Sequence, residues 1–226
     1  MTNPPIFSLR LSFFPESQRL MVASPSAIHE SVLVTLMRRL DHILATIPLD
    51  EDILYCRVLP NDFHQGKSVH AIPDSTVKMW SKNSEGNRLP ATLWITESAF
   101  TQSDTDVMKK LRAYIRDIPE LQVVGKILLN QTAGYQAPAP NSAVAQKLRS
   151  TAVMNKMKWA RNYGNAEEYA SITVDEHTWF TLSSVEIHIW TRLPGQSKID
   201  LSRLDGDCYA SGVRPCFASL HLVTIS

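Results

Sequence analysis

Two apolar runs in this chain each end in a carboxylate. Val69-His70-Ala71-Ile72-Pro73 leads into Asp74, and Ala91-Thr92-Leu93-Trp94-Ile95-Thr96 leads into Glu97. Runs of this length and composition read as strands. Consecutive strands of a meander lie side by side, so both acids are expected to leave the sheet close together. Two acids on neighbouring strands suit a hard divalent cation, which takes oxygen ligands. Such sites commonly serve phosphate chemistry.

The flanking segments set the element order. Ser24-Pro25 gives a helix start, with the helix running to about Ile47 before Pro48. Ile28, Leu36, Leu40, Ile43, Leu44 and Ile47 form its apolar stripe. Residues 52–59 read as a strand, 67–80 as a strand bent near Pro73, and 91–100 as the most buried strand. Thr101 or Ser103 caps a second helix over 104–117, and 121–129 reads as a further strand. The result is helix, three strands, helix, strand: a mixed sheet flanked by helices. Residues 6–14 read as an edge strand. Beyond 130 the chain reads as a loop, a helix over 143–159, strands over 171–174 and 182–190, and a turn-rich stretch over 195–215. Trp179 and Trp190 are expected in a second small core. The expected organisation is one domain over 1–226, with a core at 25–130 and an extension at 131–226.

Composition narrows the function classes. The 226 residues are 44% hydrophobic and 20% charged, as in folded globular chains. With 23 Lys+Arg against 22 Asp+Glu, bulk positive charge does not drive nucleic-acid binding. Local basic faces remain, on Lys109, Lys110, Arg112 and Arg116 and again on Lys147, Arg149, Lys156, Lys158 and Arg161. Cys56, Cys208 and Cys216 show no metal spacing and fit reduced thiols, which points to the cytosol or nucleus. No apolar run reaches membrane-spanning length, so no membrane partner is expected. The abrupt apolar end over 220–225 is compatible with a longer parent chain. Glu186 and His188 share a strand face, but no third ligand follows at a metal-binding spacing.

The element order, with Ile72-Pro73-Asp74 followed by Glu97 on the next strand, resembles the PD-(D/E)XK nuclease-like superfamily. This is the restriction-endonuclease-like fold, and the resemblance covers residues 25–130. Residues 97–103, Glu-Ser-Ala-Phe-Thr-Gln-Ser, also look like a group of uncharacterised fungal proteins, which implies no function. The superfamily resemblance implies an α/β (α+β mixed) fold with an αβββαβ core and a C-terminal α/β extension. It implies Asp74 and Glu97 as ligands of Mg²⁺ or Mn²⁺, the Ser98 carbonyl as a further ligand, and Glu30 as a supporting acid on the first helix. The activity it implies is metal-dependent hydrolysis of DNA or RNA, in some members by paired copies. The family lysine two residues after the glutamate is replaced by Ala99. Gln102 and Lys109 rank first as substitutes, with Lys110 beside them on the helix. Losing such a cation costs on the order of 2.7–4 kcal/mol of transition-state stabilisation, by analogy with a lost oxyanion donor. Two further readings stand beside the nuclease: an inactive nuclease-like fold that binds nucleic acid or protein, and a module whose terminal apolar strands pair with another subunit by edge addition.

Overall fold

The computed structural model describes residues 10–23, 27–50, 52–83, 85–100, 103–132, 136–150, 172–174 and 177–215. It is a mixed α and β structure, as expected. Its strands are β1 (Arg10–Phe14), β2 (Arg19–Ala23), β3 (Leu54–Leu59), β4 (His64–Gln65), β5 (His70–Ala71), β6 (Ser75–Lys82), β7 (Arg88–Ala99), β8 (Val123–Gln131), β9 (Ile172–Val174), β10 (His177–Phe180), β11 (Leu182–Thr191) and β12 (Tyr209–Pro215). Its helices are α1 (Ala27–Ala45), α2 (Asp104–Asp117) and α3 (Ala143–Ser150). The second helix has the expected bounds. Helix residues expected over 151–159, and the strand over 220–225, lie outside the described residues.

The chain divides into two compact units, Met1–Leu128 with Ile187–Gly212, and Leu129–Glu186 with Val213–Ser226. One sheet runs in the order β12-β11-β8-β7-β6-β3, and a smaller one in the order β2-β1-β5-β4. The expected succession is present as α1, β3, β6, β7, α2, β8, with the short strands β4 and β5 interposed. β3, β6 and β7 pair antiparallel, while β7 and β8 pair parallel. A parallel pair needs a crossover, and α2 supplies it. The bend expected at Pro73 is a full break that separates β5 from β6. In the second unit, β9 and β10 pair antiparallel and α3 follows the Ser142 turn.

Two local outcomes differ from the sequence expectation. β1 is not an edge strand: a tight turn, with Gln18 at φ 48°, folds β2 back onto it, and β5 pairs on its other side. Along it Arg10, Ser12 and Phe14 are buried and Leu11 and Phe13 exposed. Leu11 faces Val22 and Phe13 faces Leu20, so the hairpin shows an apolar outer face. Trp190 does not belong to a separate small core. It packs in the main core with Phe14, Ile95, Val107, Leu111, Tyr114 and Val124.

A register shift between Val77 and Lys78 leaves Leu93 without a β6 partner: Val77 faces Trp94 and Lys78 faces Thr92. The extra residue is a β-bulge. Above it, Ile95 and Glu97 point to the α2 side. Below it, the parity of β7 changes, so Arg88, Pro90 and Thr92 join that same side.

α2 is the centre of the core. The Ser103 side chain accepts a hydrogen bond from the Asp106 N–H at 3.1 Å, and Asp104 and Asp106 complement the helix dipole. Val107, Leu111, Tyr114 and Ile115 are buried along one stripe. Val107, Leu111 and Ile115 each contribute about 1.5–3 kcal/mol by leaving water. At the other end, Asp117 accepts the Ser68 N–H at 2.8 Å and the Val69 N–H at 3.1 Å, tying the β4–β5 segment to the helix.

Candidate functional site

Asp74 directly precedes β6, and Glu97 lies near the end of β7. The ladder ends at the pair of Ser75 with Thr96, so the two acids are the next residues on adjoining strands. The expected juxtaposition at one sheet end is therefore present. Both acids are buried, Asp74 at 4% and Glu97 at 1% exposure.

Each carboxylate already has its own donors. Asp74 Oδ2 accepts the Ser98 N–H at 2.6 Å and the Ser98 hydroxyl at 2.9 Å. Asp74 Oδ1 is in an ion pair with the Arg10 guanidinium. Glu97 Oε2 takes the Lys110 ammonium at 3.1 Å, and Oε1 accepts the Tyr114 hydroxyl at 2.8 Å. Tyr114 is fully buried; burial, and then the Glu97 charge, push its phenol well above the usual range. It stays neutral and donates. Arg10 and Lys110 offset the two acidic charges one for one.

The other expected site residues fall elsewhere. Ser98 is committed to Asp74 through its N–H and hydroxyl. Lys109 turns away from Glu97: its ammonium lies 4.3 Å from the Phe14 ring centroid and 3.5 Å from the Ser17 hydroxyl. Successive helix residues differ by about 100°, so Lys109 and Lys110 cannot share a direction. Lys110 is thus removed from the expected basic surface and becomes the partner of Glu97. Glu30 lies on α1, but its side chain is outside the description, and Gln102 lies outside the described residues altogether. Arg10 was not expected at the site. Its signal was a cation alternating with Ser12 and Phe14 on a strand.

This donor set does not fit Mg²⁺ in the arrangement described. A dication between the acids would face two fixed cations. Unit charges 4 Å apart interact by about 4 kcal/mol at an effective dielectric of 20. Among the described residues no group of three or more His, Cys, Asp or Glu is arranged to hold a metal.

The remaining residues of the expected basic surface line a cleft of about 910 Å³ in the first unit, between the outer side of α2 and the 195–202 loop. Lys109, Arg112, Arg116 and Lys198 contribute four positive charges to it, and Asp200 one negative charge. Asp200 is held below the usual carboxylate range by its hydrogen bonds from Ser202. Arg116 also approaches Glu16 at 3.7 Å. No helix among the described residues is long and apolar enough to cross a membrane.

Comparison of the chain with family models, with curated proteins and with solved structures found no match.

Proposed function

We propose that this chain is a nuclease-like fold that binds nucleic acid without cutting it, its acid pair having become a structural, charge-compensated network. The observation that carries this reading is the closure of each carboxylate by its own cation: Asp74 by Arg10 and Glu97 by Lys110. Ala99, in the place of the family lysine, agrees with it. The cationic cleft beside α2 is the surface for the phosphate backbone, since Arg112 and Lys198 are exposed there and no strand of bases need be read.

The test begins with calorimetry of Mg²⁺ and Mn²⁺ against the wild type and Asp74→Ala, followed by plasmid and RNA nicking. No binding heat and no nicking are expected from either protein. A labelled duplex should bind the wild type, and Arg112→Glu/Lys198→Glu should weaken it by about tenfold at low salt. Metal-dependent cutting that disappears in Lys110→Met, with duplex binding kept, would overturn the reading. Lys110 would then stand in the role of the missing lysine.

A further inference from the structure

The strands β3, β6 and β7 carry four cations below the bulge, and all four project from one face. Tyr55 pairs with Trp80, Arg57 with Lys78, Trp80 with Pro90 and Lys82 with Arg88. Same-row partners share a face, and alternate residues along a strand share it too. Arg57, Lys78, Lys82 and Arg88 therefore stand with Tyr55 and Trp80 in one array. No acid occurs in Leu54–Leu59, in Ser75–Lys82, or in β7 from Arg88 to Thr96. The opposite face offers Leu54, Cys56, Val58, Val77 and Met79 instead.

Geometry within the array is specific. The Tyr55 and Trp80 rings stack at 5.0 Å between centroids and 4° between planes. The Arg88 and Arg57 guanidinium carbons lie 4.6 Å and 5.4 Å from the Tyr55 centroid. Arg57, Lys82 and Arg88 are exposed, and both rings are only half-buried. Lys78 is taken by an acid, Asp62, at 2.8 Å. A cross-strand ring pair steadies a sheet by itself, but here it is set among exposed cations. Flat aromatic surface interleaved with cations is what unpaired bases and their phosphates require.

We infer that this face is a binding site for single-stranded nucleic acid, distinct from the α2 cleft. Bases stack on the Tyr55–Trp80 pair, and Arg57 and Lys82 hold the flanking phosphates. The inference rests on the reading above only for the class of partner, because other residues and another substrate form are involved.

The test is fluorescence anisotropy of the full chain with labelled oligo(dT) of about 15 nucleotides, a length that spans one such platform, and with a duplex of equal length. Arg57→Ala/Lys82→Ala should weaken oligo(dT) binding by about tenfold and flatten its salt slope by about 1.4, or 0.7 per lost phosphate contact. Trp80→Leu should weaken it by about tenfold, whereas Trp80→Phe should keep most of it. The duplex affinity of these variants should stay at the wild-type level. The two surface substitutions, Arg57→Ala/Lys82→Ala, leave the apolar face intact and keep the test valid if Trp80→Leu misfolds. If Arg57→Ala/Lys82→Ala leaves oligo(dT) binding unchanged while Arg112→Glu/Lys198→Glu abolishes it, this inference is wrong and the cleft reading stands. If the wild type binds oligo(dT) no more tightly than the duplex of equal length, the single-strand assignment also fails.

Discussion

Lys110→Met would leave the Glu97 carboxylate buried with one neutral donor, Tyr114. Removing one partner from a buried ion pair costs about 3–5 kcal/mol. Glu97→Gln/Lys110→Met should recover much of that loss, because the amide carbonyl still accepts from Tyr114 and no uncompensated charge remains. Urea unfolding of both variants checks this; equal destabilisation would show that the pair carries no charge coupling. At this scale the sequence showed where the acids stand but not what closes them. The position of Lys110 was nevertheless readable. It lies three residues after Val107 and four before Tyr114, inside the apolar stripe, and a lysine there needs a buried acceptor. Arg10 was harder. Leu11 and Phe13 make the better apolar pattern, and the ion pair of Arg10 with Asp74, together with Phe14 in the core, accounts for the strand turning its other side inward.

Among the elements, α2 was legible to its last residue because Ser103, the apolar stripe and Pro119 all agree on its limits. The short strands were not. β4 and β5 span two residues each, too few for any periodicity, and are fixed by contacts distant in sequence. Asp117 makes those contacts, and Gly66 permits them. A Cβ at Gly66 would collide with the Asp117 carboxylate and the His64 ring. Gly66→Ala should therefore destabilise the chain by about 1–3 kcal/mol, the usual range for overpacking. Thermal melting checks this, and Asp117→Ala/Gly66→Ala should lose less than the sum of the single variants. A neutral Gly66→Ala would mean that the β4–β5 clamp contributes little.

For the molecule as a whole, the same clamp makes stability depend on pH. Burial lowers the His64 imidazole's affinity for a proton, with Asp117 opposing. The unfolded chain takes that proton first, so this contribution is complete above about pH 6.5 and declines as pH falls below it. Burial raises the Asp117 carboxyl, but hydrogen bonds from Ser68 and Val69 outweigh it and the net shift is downward. Its contribution is complete above about pH 3.9 and is lost as pH falls through the lowered value. Urea midpoints should decline in two stages on acidification, and His64→Gln should remove the upper one. The element order behind this behaviour was visible in the sequence, while the division into two units was not, because strand pairing beyond Leu129 depends on segments far apart in the chain. The Leu93 bulge has one more consequence, for heredity. Loss of the single codon for Leu93 would flatten the bulge and leave every β6–β7 pair in place, with Arg88 and Glu97 still on a common side. The strand can therefore lose that one residue without turning any of its paired side chains over.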